Sequence, residues 1–337
     1  MSRIRARILV VVVAAGVALV MATAASTSSG QDQAPPEGGE RSARQTVDPN
    51  RPPRCFGAAS RDPERRCVNK DLFLTVVPTP EQARSGQNSP CTPADQTAEL
   101  YPCLFGPPPD QAVRTIALVG DSHAGHWRAA LDVVARQRRW HGISLTQTGC
   151  PMTKAIPILK GRQRDDCLEY NEAIGPWLER HPEVTMVFTS QHGGRVVTAR
   201  GQSQYDAQLE GFMRAFEELP PSVEHMIVIR GTPWSTKRAP TCIEEAIADG
   251  KRPDLECAIP RKRSLRQDLA AEAATIMRSP RVKVLDLTPF MCGRKECFPV
   301  VGGALVHKDG GHITQVFSRT LGPYLGRYVD RIMPPES

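Results

Sequence analysis

Residues 117–127 read ALVGDSHAGHW: an apolar run breaks on Gly-Asp-Ser-His and then continues with helix-like spacing. A serine at such a strand-to-helix break either caps the helix or stands exposed as a nucleophile, since Ser and Asp are both common caps. The pattern around it decides the fold. From Arg114 onward, strand-like apolar runs recur at 115–119, 143–146, 184–189, 226–230 and 282–287. Helix-spaced stretches at 126–137, 167–180, 205–219, 264–278 and 314–328 alternate with them. Alternating strands and helices require parallel pairing through crossovers, hence a sheet covered on both faces. The expected fold is α/β: a three-layer α/β/α sandwich on a flavodoxin-like five-stranded parallel sheet. Ligands of such sheets bind outside the carboxyl ends of the strands, where Gly120-Asp121-Ser122 sits.

The chain of 337 residues, 40% hydrophobic, holds one catalytic-sized domain plus an appendage. Its formal charge of +7 fits a protein working near anionic surfaces, but with basic residues scattered among acids it gives no argument for nucleic-acid binding, and none is expected. The clusters Arg136-Gln137-Arg138-Arg139 and Arg261-Lys262-Arg263 read as solvated faces. At the N-terminus, Arg3, Arg5 and Arg7 precede the uninterrupted apolar run 8–24. That pattern means export. The run reads as a cleaved signal, with Ala22-Thr23-Ala24 as its site, or as a retained anchor. The preferred reading is a single-pass membrane protein with an extracytoplasmic domain; the alternative is secretion. Residues 25–54, rich in Ser, Gly and Pro, are expected to form a disordered linker. Residues 55–111 form a Cys- and Pro-rich cap, and 112–330 the α/β domain.

Ten cysteines in an exported chain read as disulfides, and without a Cys-x-x-Cys pair no structural metal site is supported. Sequential pairing closes the shortest loops: Cys55 with Cys67, Cys91 with Cys103, Cys150 with Cys167, Cys242 with Cys257, and Cys292 with Cys297.

A hydroxyl becomes a useful nucleophile only with a base in reach and a third group orienting that base. The stretch VHKDGGHIT, 306–314, supplies both in Asp309 and His312, three residues apart at the entrance to the last helix.

These two stretches resemble the SGNH (GDSL-like) hydrolase superfamily. The closer resemblance is to one branch, the extracytoplasmic SGNH domains fused to, or acting beside, family 3 membrane acyltransferases that modify surface polysaccharides. TGCP (148–151), VIRGTPW (228–234), CIEEA (242–246) and the block 286–314 carry it further, over about residues 112–330. The resemblance implies Ser122 as nucleophile, His312 as general base and Asp309 as the residue orienting it. It also implies an oxyanion hole from the backbone of Ser122 and of Gly149. The usual third donor, an Asn after the third strand, is replaced by FTSQHGG (188–194), where Gln191 and His192 are the candidates. Asp121 is expected to shape the turn. His123 and Trp234 are candidate substrate contacts, each equally readable as an ordinary helix or packing residue.

The implied activity is O-acyl transfer, with acetyl the usual group, or ester hydrolysis on cell-envelope carbohydrate. No cofactor is expected, and a separate membrane acyltransferase is the expected partner. A non-catalytic glycan-binding domain of the same shape is the alternative. GDSHAG also resembles the Gly-Asp-x-His-Gly element of calcineurin-like metallophosphatases, but their Gly-Asn-His element has no counterpart here.

Overall fold

The computed structural model describes residues 47–48, 51–87, 89–94 and 100–333. The apolar run 8–24 and most of the linker 25–54 lie outside them. Among the described residues no helix is long and apolar enough to cross a membrane.

Five parallel strands carry the domain: β3 (Arg114–Gly120), β4 (Trp140–Thr146), β5 (Val184–Ser190), β6 (His225–Ile229) and β7 (Val282–Leu285). Two short antiparallel strands from the cap, β1 (Thr92–Pro93) and β2 (Cys103–Phe105), extend one edge, so the order is β1-β2-β4-β3-β5-β6-β7. Residues of the cap region thus complete the sheet beside β4. Strands of two or three residues are too short to show a period in sequence.

Each strand feeds both faces, because successive side chains point opposite ways. Ile116 and Leu118 of β3, Met186 and Phe188 of β5, and Ile227 and Ile229 of β6 share one core with the helices Arg128–Arg138 and Gln315–Ile332. Ala117, Val119, Val187, Met226 and Val228 share the other with Arg162–Arg180, Gln204–Glu217 and Leu269–Ile276. Burial on both faces explains why these strands read as continuous apolar runs.

Element ends moved where polar residues hide the period. The helix expected over 167–180 begins at Arg162, because its first turn is all polar and exposed. The helix expected over 264–278 is reduced to Leu269–Ile276: the Asp268 carboxylate accepts the N–H groups of Ala270 and Ala271 and caps it there. The helix expected over 126–137 is Arg128–Arg138, and a separate short helix, Ser122–Gly125, precedes it. A helix over Ala239–Ala248 was not legible in the sequence.

The ten cysteines pair as 55–67, 91–103, 150–167, 242–257 and 292–297.

In this sheet β3 is flanked by β4 on one side and β5 on the other, so the strand order reverses beside it. That reversal opens a crevice at the carboxyl end of β3.

Candidate active site

The chain leaves β3 through Gly120 at φ +134°, and a β-carbon there would stand 2.9 Å from the Ser190 carbonyl oxygen and 3.1 Å from the Ala124 β-carbon. Only glycine fits that turn. The Asp121 carboxylate then accepts the N–H of His123 (2.8 Å) with one oxygen and the N–H of His192 (2.8 Å) with the other. It caps the short helix that starts at Ser122 and ties it to the loop after β5. Burial pushes the Asp121 carboxyl up to about 6 against the pull of these two bonds. Its role is to shape the turn.

Behind the turn, the Tyr170 hydroxyl accepts the Gly120 N–H (3.0 Å) and donates to the Leu145 carbonyl (2.6 Å). The phenol thereby joins the ends of β3 and β4. Nothing in the sequence marks Tyr170 apart from other apolar positions of its helix.

Ser122 and His312 lie 190 residues apart, yet Ser122 Oγ stands 2.7 Å from His312 Nε2. On the other side of the ring, His312 Nδ1 lies 2.8 Å from Asp309 Oδ2 and 3.0 Å from Oδ1. Asp309 Oδ1 also accepts the N–H groups of His312 (2.8 Å) and Gly311 (2.9 Å). Burial alone would raise the Asp309 carboxyl. The bonds from the His312 ring and from the two backbone N–H groups outweigh it and hold the group well below the ordinary carboxylate range. An ionised Asp309 fixes the proton on Nδ1, leaving Nε2 to accept the Ser122 hydroxyl proton.

The segment carrying this pair is a hairpin-like loop pinned by the β6 loop. Lys308 N–H donates to the His312 carbonyl, Ser235 N–H to the Gly310 carbonyl (2.9 Å), and Thr232 Oγ1 to the Gly311 carbonyl (3.2 Å). His307, buried, places Nε2 2.6 Å from the Pro233 carbonyl. Since a carbonyl only accepts, Nε2 carries the proton. Gly311 permits the close approach: a β-carbon there would lie 3.1 Å from His123 Cε1 and 3.2 Å from Trp234 Cη2. Thr232 and His307 escaped the sequence reading because their partners lie 79 and 74 residues away.

A cleft of about 400 Å³ opens over Ser122, with Gly149, His192, Trp234, Asp309 and His312 on its walls and Pro151, Ile158 and Val196 as an apolar side. The Gly149 turn is held by the Cys150–Cys167 bridge and by Asn171, whose amide donates to the Pro151 carbonyl (3.1 Å) and whose oxygen accepts the Thr153 N–H (3.0 Å). Gln191 does not join this cleft. Its carbonyl oxygen accepts the Met152 N–H (2.7 Å), and the residue lines a neighbouring chamber instead. The extra methylene relative to Asn lets it reach across and brace the Gly149–Met152 loop. His192 lines both cavities, and its Nδ1 stands 2.9 Å from the Gly193 carbonyl. His123 also lines both, packed 4.7 Å from the His312 ring. Among the described residues no cluster of His, Cys, Asp and Glu is arranged to hold a metal ion.

Five of the eight histidines, His123, His126, His192, His307 and His312, gather here. Burial holds His123 at about 3, assisted by the charges of His312 and His192. It holds His307 at about 4, against the pull of the Pro233 carbonyl. His126 lies well below its ordinary value for the same reason. Such groups bind protons more readily in the unfolded chain, so their stabilisation is complete above the ordinary histidine value and is lost as pH falls below it. Asp121 acts oppositely: its carboxyl, raised to about 6, gains stability as pH falls through that value. Burial raises Asp268 in the same sense. Three histidines outweigh two carboxylates, at about 1.4 kcal/mol per pH unit for each net proton. The melting temperature by calorimetry is therefore expected to fall as pH drops from 7 to 4; a flat or rising profile would contradict the buried neutral imidazoles.

No curated protein matches the chain in sequence. Among solved structures it is similar to the periplasmic domain of the lipopolysaccharide acetyltransferase of Salmonella ser. Paratyphi A, with a TM-score of 0.50 at 15% identity. That alignment covers 65% of this chain and 84% of the other, and at that identity it speaks for the fold. The family described as "SGNH domain (fused to AT3 domains)" matches residues 90–327. With the matched span covering most of the chain, from the β1–β2 edge to the last helix, this protein belongs to the family of SGNH domains fused to AT3 domains.

Proposed function

We propose that this protein transfers an O-acyl group, acetyl in the simplest case, to a cell-surface carbohydrate through a covalent serine intermediate. The observation that carries the reading is the 2.7 Å contact between Ser122 Oγ and His312 Nε2, continued by Asp309 on the far side of the ring. Ser122 Oγ attacks the acyl carbonyl carbon as its proton passes to His312 Nε2. The tetrahedral oxyanion collapses, and the donor oxygen leaves with that proton. A sugar hydroxyl then gives its proton to His312 as its oxygen attacks the acyl-serine, and Ser122 Oγ recovers the proton on release. Water in place of the sugar gives hydrolysis by the same steps. Backbone N–H groups of Ser122 and Gly149 are the proposed oxyanion donors; His192 already commits its backbone N–H to Asp121 and its ring Nδ1–H to the Gly193 carbonyl. The apolar side of the cleft suits the acyl group.

The family, and a structural neighbour that is the periplasmic domain of a lipopolysaccharide acetyltransferase, support an acyl-transfer enzyme. They also support a membrane acyltransferase as the partner that supplies the acyl group, and the export pattern of residues 3–24 fits a domain outside the cytoplasmic membrane.

A fluorophosphonate probe tests the reading. Labelling is expected on Ser122 in the native protein and absent in Ser122→Ala; a protein that stays unlabelled is a glycan-binding domain. In parallel, Asp309→Asn is expected to lower kcat for 4-nitrophenyl acetate by about 10³–10⁴-fold, since the ring would be held in the wrong tautomer. A loss below tenfold would remove Asp309 from the scheme.

A further inference from the structure

Beyond the Ser122 cleft lies a second, polar chamber of about 170 Å³. His123, His192 and Trp234 line both and form their common wall, with ring centroids 4.9–5.9 Å apart. Pockets for drug-sized ligands run from roughly 300 to 1,000 Å³, so this chamber suits one sugar unit rather than a chain. Its polar lining includes Gln208 and Gln191, and the Gln191 amide nitrogen is buried with no partner among the described residues. A buried donor without an acceptor is rare in a folded protein and invites a ligand oxygen.

Arg266 also lines the chamber. Its guanidinium carbon lies 4.0 Å above the Trp234 ring, and among the described residues it forms no hydrogen bond or ion pair. Stacking uses the face of the guanidinium and leaves its in-plane N–H fork free, the geometry that grips a carboxylate through two parallel bonds. Burial first and the Arg266 charge second hold the neighbouring His192 below its ordinary value, so the two groups lie within electrostatic reach. The one carboxylate on the chamber wall, Asp268, already accepts the N–H groups of Gly231 (2.6 Å), Ala270 and Ala271. It does not neutralise Arg266 through any bond.

We propose that this chamber seats the acceptor, and that the acceptor is an acidic sugar whose carboxylate is bound by Arg266. The inference rests on the acyl-transfer reading and names its acceptor class. A uronic acid held there presents a ring hydroxyl across the His123–His192–Trp234 wall toward the acyl-serine. That hydroxyl gives its proton to His312 as its oxygen takes the acyl group.

The test titrates the Ser122→Ala protein with methyl glucuronoside and with methyl glucoside, which differ by the carboxylate, following amide shifts by NMR. The glucuronoside is expected to bind at least tenfold tighter, more weakly as salt is raised, and to shift residues of the 190s and 260s loops. Adding Arg266→Gln is expected to bring the affinity ratio near one, and Arg266→Lys to restore part of it. Equal affinities, a preference indifferent to Arg266→Gln, or binding of neither sugar in the millimolar range would each overturn the proposal. Ser122-dependent esterase activity is read separately on the native protein. Its absence sinks the acyl-transfer reading, whereas its presence with no uronic-acid preference sinks only the acceptor assignment.

Discussion

Ser122→Ala and His312→Ala are each expected to lower kcat for 4-nitrophenyl acetate by about 10⁴–10⁶-fold, with the double variant no worse than either alone. The size follows from the geometry. Ser122 Oγ and His312 Nε2 share one proton over 2.7 Å, so removing either group removes the whole step. Any residual rate then reflects only the oxyanion donors and binding, which is why the two losses do not add. Both side chains line the cleft, and neither substitution is expected to move the melting temperature by more than a few degrees. Stopped-flow release of nitrophenolate gives the acylation burst and the steady state together. A burst that persists in Ser122→Ala would place the nucleophile elsewhere. Activity retained in His312→Ala would mean another group accepts the serine proton.

Gly120→Ala is expected to act on the fold with comparable severity. The backbone at φ +134° is nearly closed to any residue with a β-carbon, a strain of about 1–3 kcal/mol. The added carbon also meets the Ser190 carbonyl at 2.9 Å, and overpacking costs about 1–3 kcal/mol more. The struck atom is backbone of β5, at the end of a strand inside the sheet, so it cannot swing away. Together this removes about 2–6 kcal/mol from a domain whose whole stability is about 5–15 kcal/mol. A melting temperature lowered by roughly 5–20 °C is the expected calorimetric result. A shift under 2–3 °C would mean that the turn relaxes, and that Ser122 is not held by the geometry described.

Much of the fold was legible because its signals are local. The strands β3 and β5 declare themselves as apolar runs, since both faces are buried. Asp309 and His312 lie three residues apart and close on each other through one turn. The cysteine couples lie 5 to 17 residues apart, and such short loops close easily. Signals failed where the partner is distant or the element has no period. The two- and three-residue strands of the cap acquire their identity only by pairing with β4. The first turn of Arg162–Arg180 is all polar and has no buried face to announce it.

The sequence by itself determined the α/β architecture and the chemistry available to the site: a hydroxyl after the first parallel strand, an imidazole and a carboxylate before the last helix. These are written as periods and short spacings, which need no knowledge of the rest of the chain. Tertiary structure alone decided which groups meet. It brought Ser122 to His312 across 190 residues and kept the Gln191 side chain out of the Ser122 cleft, its oxygen accepting the Met152 N–H. It also set the Tyr170 hydroxyl on the Gly120 N–H and stacked Arg266 on Trp234. Those contacts depend on how the strands are ordered in the sheet, a long-range property that no local pattern of residues encodes.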